Sequence, residues 1–218
     1  MTLLDSSRTF LAAHDALPHG DMGIARSEAF RTPPVLFTAG AEIYAQGEKC
    51  NCLYRVEFGA VRIYRLLADG RRQISAFHLA GETFGFEADD IHHFFAEAIV
   101  ATGIRMLRTS PGAAGLAADL LPMALKGLVR AQEHLLVLGR QNALERVAAF
   151  LSDMAERQGG LRQVELPMSR NDIADYLGLT IETVSRVFTR LKQEGIIRLP
   201  SLRSVEIVRR QSLQDLLA

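Results

Sequence analysis

The spacing of hydrophobic positions changes along this chain and divides it into a β-rich part and a helical part. From about residue 34 to residue 108, short runs of alternating apolar and polar residues are separated by glycines. From about residue 111 onward, apolar residues recur at spacings of three and four. Because alternation is typical of strands and the longer spacing is typical of helices, the pattern predicts strands followed by helices.

Glycines punctuate the β-rich part at regular intervals. They lie 11 to 12 residues apart, at Gly47, Gly59, Gly70 and Gly81. This interval is close to the turn rhythm of an antiparallel barrel or sandwich. The turn at Ala68-Asp69-Gly70 predicts a hairpin, and the runs that we expect to form strands are EIYAQGE, CLYRVEFG, AVRIYRLLADG, RQISAFHLAG and EAIVATGIRML.

A long helix is predicted after Pro111 and Gly112, and its stripe follows a heptad. Alternating spacings of four and three connect Leu121, Leu125, Leu128, Gln132, Leu135, Gly139 and Asn142. Such a seam can bury against the same helix of a second subunit. The alternative is that the leucines pack on the β-rich part of their own chain. A further helix over about 142–157 is predicted to bury Val147, Phe150, Leu151 and Met154.

Two short helices joined by a tight turn are predicted near the C-terminus. Ser169 stands three residues before Asp172, which is the spacing of a helix cap reinforced by a carboxylate, and the first helix is expected over 170–177. Gly178 suits the turn, and Thr180 can cap a second helix over 181–193. Two helices arranged in this way predict a helix-turn-helix.

The second helix has one apolar and one polar face. The expected buried stripe is Ile181, Val184, Phe188 and Leu191, and the opposite face carries Glu182, Ser185, Arg186 and Thr189. Arg186 can donate two parallel hydrogen bonds to guanine, and Glu182 can accept a hydrogen bond from N4 of cytosine. Ser185 is short enough to let the backbone approach the groove. An ordinary helical hairpin with a solvated face would show the same pattern.

The flanking segments favour the DNA-binding interpretation. A strand is predicted at 163–167, and GIIRLPSLRSVEIV predicts two strands interrupted at Pro200 and Ser201, which would form a wing. Formal charge is zero overall, but residues 1–168 carry 17 basic and 19 acidic side chains, whereas residues 169–218 carry 8 and 6. Candidate contacts to DNA phosphates are Ser169, Arg170, Thr180, Thr183, Arg190 and Lys192.

The run LGLTIETVSR, residues 177–186, resembles the recognition segment of the cyclic-AMP receptor protein and FNR (CRP/FNR) superfamily. Glu182, Ser185 and Arg186 match the E-x-x-S-R form of its FNR and FixK branches, and Ile181 stands where the cyclic-AMP receptor branch has arginine. The resemblance implies TTGAT-type palindromic sites contacted through these three side chains. It also implies a homodimer that recruits RNA polymerase and mainly activates transcription.

The resemblance implies an α+β fold of four parts. They are an N-terminal arm over 1–32, an antiparallel β-roll of the cyclic-nucleotide-binding kind over 33–110, a dimerisation helix region over 111–140, and a winged helix-turn-helix domain over 141–218. In this family the seam from Leu121 to Gly139 would be the dimer interface.

Members of the superfamily that sense a nucleotide or hold an iron-sulfur cluster carry binding residues that this chain lacks. Gly81-Glu82-Thr83-Phe84-Gly85 resembles the nucleotide-binding turn, but no arginine–hydroxyl pair follows to neutralise a cyclic phosphate. Cys50 and Cys52 are too few for the usual four cluster ligands. The chain is thus most similar to the cluster-free FixK branch, which implies control of micro-oxic respiration, denitrification or nitrogen-fixation genes without a cofactor. A regulator gated by haem or another small molecule is the alternative.

Other classes of function find little support in the residue pattern. His78, His92 and His93 do not have the spacing of a metal site, and no P-loop, nucleophile elbow or dinucleotide fingerprint occurs, so no metal and no enzyme activity are expected. An apolar run of about 18 residues is missing, so we expect a cytoplasmic protein without a membrane partner. Ser169 marks a possible redox position, since a cysteine there would lie at a helix N-terminus beside Arg170.

Overall fold

The computed structural model describes residues 33–108, 114–139 and 142–217, so the predicted arm over 1–32 lies outside the described residues. A β-rich part precedes the helical part, as the hydrophobic pattern predicts. In chain order the elements are β1 (Val35–Phe37), β2 (Glu42–Tyr44), β3 (Cys52–Phe58), β4 (Ala60–Leu66), β5 (Arg72–Leu79), β6 (Thr83–Phe84), β7 (Phe95–Ala98), β8 (Thr102–Arg108), α1 (Ala114–Gly139), α2 (Ala143–Arg157), β9 (Gln163–Glu165), α3 (Arg170–Leu177), α4 (Ile181–Gln193), β10 (Ile197–Ser201), β11 (Ser204–Ile207) and α5 (Arg210–Asp215).

The first eight strands form two antiparallel four-stranded sheets. Their strand orders are β1-β8-β3-β6 and β2-β7-β4-β5. Alternate residues of the strands bury a core between the sheets, which includes Tyr44, Val56, Val61, Phe84 and Ile104. The expected β-roll is therefore confirmed, and β4 and β5 form the predicted hairpin around Gly70.

The glycine rhythm predicted the turns correctly. Gly47, Gly59, Gly70 and Gly81 all have positive φ angles, between 81° and 90°. Gly59 is the most constrained, because a Cβ atom there would lie 2.5 Å from Thr102 Oγ1 and 2.6 Å from the Ala101 carbonyl oxygen. No other residue fits this turn without displacing the backbone of the neighbouring strand.

The run EAIVATGIRML, predicted to be β-rich, holds parts of two strands. It contains the end of β7, a turn, and most of β8. The turn residues Ile99 and Val100 are apolar because they pack against the hydrophobic cluster shared with the helices, so composition alone does not distinguish them from strand residues. Strands β1 and β6 were not predicted, since they are three and two residues long and offer no alternation to detect.

Helix α1 leaves its heptad stripe uncovered. Leu121, Leu125, Leu128 and Leu135 are 51–68% exposed, and Gln132 and Gly139 are also exposed. The alternative in which these leucines pack on their own β-roll is therefore wrong for the described part of the chain. Asn142, the last member of the stripe, instead caps α2, where its side-chain oxygen accepts from the Glu145 amide over 2.9 Å.

The β-roll and the C-terminal helices share a continuous apolar contact. Phe77 of β5 has its ring centroid 6.3 Å from that of Phe150 in α2 and 5.1 Å from that of Tyr176 in α3. Tyr176 also stacks on His134 of α1, at 3.8 Å between centroids. Helices α2 and α3 therefore meet the outer face of β5, and α1 packs against α3.

Candidate nucleic-acid interface

The predicted capping arrangement at the start of α3 is confirmed. Ser169 adopts an extended conformation, and its Oγ accepts a hydrogen bond from the Asp172 amide over 3.1 Å. In return, Asp172 Oδ2 accepts from the Ser169 amide over 3.0 Å. Because each residue satisfies a backbone group of the other, the beginning of the helix is fixed locally.

The turn between α3 and α4 uses the predicted residues. Gly178 has φ 63° and ψ 39°, a left-handed conformation that glycine adopts at little cost. Thr180 then caps α4, because its Oγ1 accepts from the Thr183 amide over 3.2 Å. The two threonine hydroxyl groups lie 3.0 Å apart at this helix N-terminus. They stand where a phosphate oxygen would also meet the free amides of the first turn.

Helix α4 presents the predicted polar face to solvent. Glu182, Ser185, Arg186 and Thr189 are exposed, and the buried face consists of Val184, Val187, Phe188 and Leu191. Among the described residues, neither Glu182 nor Arg186 has an ion-pair partner. The side chains that the sequence predicts to contact bases therefore share one uncovered surface.

The prediction that Ile181 is buried was wrong, since this residue is 41% exposed. Ile181 is the first residue of α4, and a helical side chain leans toward the N-terminus, here beyond the domain core. Val187 takes the missing place in the core, because a core-facing stripe is wider than one residue per turn.

Arg170 lies against α4 rather than extending into solvent. Its guanidinium carbon is 3.2 Å from the centroid of the Phe188 ring, which is a cation–π contact. Burial lowers the pKa of Arg170 to about 10, so the side chain remains charged at neutral pH. The structure thus places this predicted phosphate contact between the two helices of the motif.

The remaining basic candidates are exposed around the motif. Arg190 pairs at 2.7 Å with Glu194, the residue that caps the C-terminal end of α4, and Lys192 is exposed. The wing consists of β10 and β11, which pair antiparallel, and β9 completes their three-stranded sheet. Its turn lies at Leu202 and Arg203, two residues later than predicted, because Pro200 and Ser201 are accommodated at an irregularity in β10.

A contact that the sequence did not predict joins the helix-turn-helix to the β-roll. Asp172 and Asp175, one turn apart on α3, both meet arginines of the β4–β5 hairpin. These pairs join residues about a hundred positions apart in the chain. Local spacing provides no signal for such a contact. Asp172 is buried, and the burial of an acidic residue only becomes recognisable in the folded chain.

The other chemically notable side chains of the β-roll do not assemble into a metal site. Among the described residues, no group of three or more histidine, cysteine or acidic side chains could hold an ion. His92 is buried against Tyr44, at 3.6 Å between centroids, whereas His93 is half-buried and meets Asp89. Cys50 and Cys52 are free, and burial raises the pKa of the Cys50 thiol. No described helix is both long and apolar enough to cross a membrane.

Family comparisons agree with this arrangement. The family described as Crp-like helix-turn-helix domain matches residues 145–216, and the family described as cyclic nucleotide-binding domain matches residues 34–110. The nitrogen fixation regulation protein FixK of Rhizobium meliloti is 56% identical over 83% of this chain and 85% of its own length. FixK of Azorhizobium caulinodans is 44% identical over 84% of this chain and 78% of its own length.

A solved structure extends the similarity to the fold. FixK2 from Bradyrhizobium japonicum has a TM-score of 0.79 and 44% identity, and the match covers 85% of this chain and 96% of that one. The family is one of DNA-binding regulators rather than enzymes. By its sequence, its two matched domains and its fold, the chain belongs to the CRP/FNR superfamily of transcription regulators, as a FixK-type member.

Proposed function

We propose that the protein is a homodimeric activator of transcription that binds TTGAT-type palindromes and recruits RNA polymerase without a bound effector. Its target genes would serve micro-oxic respiration, denitrification or nitrogen fixation. The observation that carries the proposal is the uncovered face of α4, on which Glu182, Ser185 and Arg186 stand together on a helix whose start is capped.

Base recognition follows from the chemistry of these three side chains. Arg186 donates a fork to O6 and N7 of guanine, and Glu182 accepts from N4 of cytosine. Ser185 lies between them in sequence and is small enough for the helix to enter the major groove. All three belong to the N-terminal half of α4, which is the part of a recognition helix that meets the bases.

Contacts to the DNA backbone would set the register of this helix. We assign them to the side chains around the motif that can donate to phosphate: Ser169, Arg170, Thr180, Thr183, Arg190 and Lys192. Arg170 holds its charge beside Phe188, and this positive charge would attract a phosphate at the start of α3 even though its Nη1 atom is buried.

Dimerisation is supported by the exposed seam of α1. Six of its positions, Leu121, Leu125, Leu128, Gln132, Leu135 and Gly139, are uncovered in the single chain. A second copy of α1 would bury the leucines and would place two recognition helices about one DNA turn apart. The proposed division of the chain at 33–110, 111–140 and 141–218 assigns this seam to its own segment.

Independence from an effector is supported by the partners of Glu82, the acidic residue of the nucleotide-like turn. Its carboxylate receives Arg157 of α2 and Arg130 of α1, each at 2.8 Å. Two arginines of the protein itself thus satisfy a group that would otherwise face a ligand. Burial also lowers the pKa of the neighbouring His78 to about 4, so this side chain adds no charge at neutral pH.

One observation favours the alternative of a ligand-gated regulator. A cavity of about 410 Å³ lies between β5, α1 and α2, and its walls include His78, Thr83, Lys126 and Arg130. Among the described residues, His78 Nδ1 and Thr83 Oγ1 are buried without a hydrogen-bond partner. A small polar molecule in this cavity would satisfy both atoms.

A binding experiment on metal-free and ligand-free protein tests the proposal. We expect tight binding to TTGAT-N4-ATCAA DNA, and a loss of about 1–3 kcal/mol per half-site when Arg186→Ala removes the bidentate contact. Thr189→Ala, on the same exposed face, is the matched control. Tight binding that Arg186→Ala does not weaken would refute the base assignment. Binding that appears only after a cell extract is added would favour the ligand-gated alternative.

A further inference from the structure

The helix-turn-helix is attached to the β-roll through charged groups that come from both sides. Arg72 of β5 donates to Asp175 Oδ2 from Nε and Nη2, over 3.0 and 2.8 Å, and to Asp172 Oδ1 from Nη2 over 2.6 Å. Arg62 of β4 donates to the same Asp172 oxygen from Nη1 over 3.0 Å. Two arginines and two carboxylates therefore form one cluster between the domains.

The cluster is partly withdrawn from solvent and is held on each side. The side chain of Asp172 is 4% exposed, and those of Arg62 and Arg72 are 16% and 22% exposed. Glu97 of β7 pairs with Arg62 and orients it. Gln73 adds a neutral bond to the backbone oxygen of Asp175, over 2.7 Å. Charge-assisted bonds that are shielded from water hold a fixed geometry better than exposed ion pairs do.

Asp172 connects this cluster to the start of the DNA-binding motif. Its Oδ1 atom accepts from the β-roll, while its Oδ2 atom accepts from the Ser169 amide and hydroxyl, over 3.0 and 2.8 Å. One carboxylate therefore caps α3 and docks it at the same time. Any movement of α3 away from β5 would separate these two roles.

The docking leaves the DNA-binding surface open. The β-roll contacts the face of α3 that carries Asp172, Asp175 and Tyr176, and the polar face of α4 stays exposed. An autoinhibitory contact would cover the surface that is proposed to contact the bases. This cluster leaves that surface uncovered. It holds α3 against the β-roll.

We propose that Arg62 and Arg72 are positioning residues that set the spacing between half-sites. The inference rests on the proposed dimer, in which α1 joins two subunits. Because the cluster fixes α3 on the β-roll and His134 of α1 stacks on Tyr176 of the same helix, the orientation of α4 relative to the dimer axis is fixed as well. Two rigidly held recognition helices accept one separation of half-sites.

The test measures binding of the full chain to four DNAs. Three are palindromes whose half-sites are separated by four base pairs, by one base pair fewer or by one base pair more, and the fourth is a single half-site. The wild-type chain is expected to prefer one spacer by at least about tenfold. In Arg62→Gln/Arg72→Gln, we expect this preference to fall below about threefold and affinity for the preferred palindrome to drop by about tenfold. Affinity for the single half-site should not change.

Two further variants separate positioning from general stability. Arg71→Gln removes the neighbouring arginine, which is exposed and pairs with Asp69 in the hairpin turn, and it should retain the wild-type preference. Arg72→Lys keeps the positive charge at this position. It should therefore retain more of the spacer preference than Arg72→Gln does.

The outcomes distinguish the inference from the function on which it rests. A double variant that keeps the sharp spacer preference, or that loses affinity equally for all four DNAs, would overturn the positioning role. A wild-type chain that binds neither the half-site nor any palindrome would overturn the proposed function and this inference together.

Discussion

The guanidinium of Arg157 in α2 donates two hydrogen bonds to the carboxylate of Glu82 in the β-roll, over 3.1 Å from Nε and 2.8 Å from Nη2. The two side chains are 7% and 14% exposed. Arg157 also donates to the Phe77 carbonyl oxygen over 2.6 Å. This pair joins the DNA-binding half of the chain to the β-roll at a second place, on the side of α2.

Replacing Glu82→Gln should destabilise the protein, because it removes the carboxylate that pairs with Arg157 and Arg130 and leaves the buried Arg157 with Asp153 as its one ion-pair partner among the described residues. We expect a loss of about 3 kcal/mol in the free energy of unfolding, measured by urea denaturation. Glu194→Gln, which removes an exposed pair with Arg190, should cost at most about 1 kcal/mol. An equal loss in both variants would contradict the role of burial.

The contribution of Glu82 should also depend on pH. Burial is the largest single effect and opposes ionisation of this carboxyl, but its charged neighbours, above all Arg157 and also Arg130, together hold the pKa of Glu82 below its ordinary value. A carboxyl with a lowered pKa stabilises the fold above the pKa of the unfolded chain, about 4.3, and loses that effect as pH falls. The stability difference between wild type and Glu82→Gln should therefore be constant near neutral pH and shrink in acid. A difference that grows in acid would mean that folding raises the pKa of Glu82 instead of lowering it.

Lys192→Ala should weaken DNA binding without changing sequence preference. Lys192 is exposed at the C-terminal end of α4, where a phosphate contact carries no base information. We expect the slope of log affinity against log salt to decrease by about one per subunit. Gel shifts at several salt concentrations measure it. A change in preference among TTGAT variants would instead place Lys192 at the bases.

Leu128→Glu should convert the dimer to a monomer. The substitution puts a charge in the centre of the α1 seam, where Leu128 is 55% exposed in the single chain and would be buried against a second copy. Sedimentation velocity should show the halved mass, and affinity for the palindrome should fall to that for a half-site. Leu161→Glu, at an exposed leucine outside α1, should remain dimeric. A dimeric Leu128→Glu protein would mean that another surface joins the subunits.

Ser169→Cys should make DNA binding sensitive to peroxide. The amides of α3 favour a thiolate at this cap, while the Asp172 carboxylate, 2.8 Å from Ser169 Oγ, opposes it. We expect the first effect to prevail, so that oxidation adds a bulky polar group beside the DNA. The wild-type chain, whose two cysteines lie in the β-roll, is the control. Equal sensitivity of the two proteins would refute the redox position.

The sequence by itself determined the local elements of the DNA-binding motif. Helices α3 and α4 have the predicted bounds, because Ser169, Gly178 and Thr180 act on groups only a few residues away. The exposure of Glu182 and Arg186 follows from helical periodicity in the same way. The hydrophobic pattern was less reliable at the ends of elements. It predicted a buried Ile181 at the start of α4, and it did not show the turn between β7 and β8.

Only the tertiary structure decided how these elements are held together. Arg72 and Asp172 lie 100 positions apart, and no spacing in the chain relates them. The seam of α1 was recognisable from its leucines. Its exposure was not, because it depends on the contacts of Arg130 with Glu82 in the β-roll and of His134 with Tyr176 in α3, which leave the leucines facing away. Local backbone hydrogen bonding determines a helix, but the packing of distant side chains determines where that helix points.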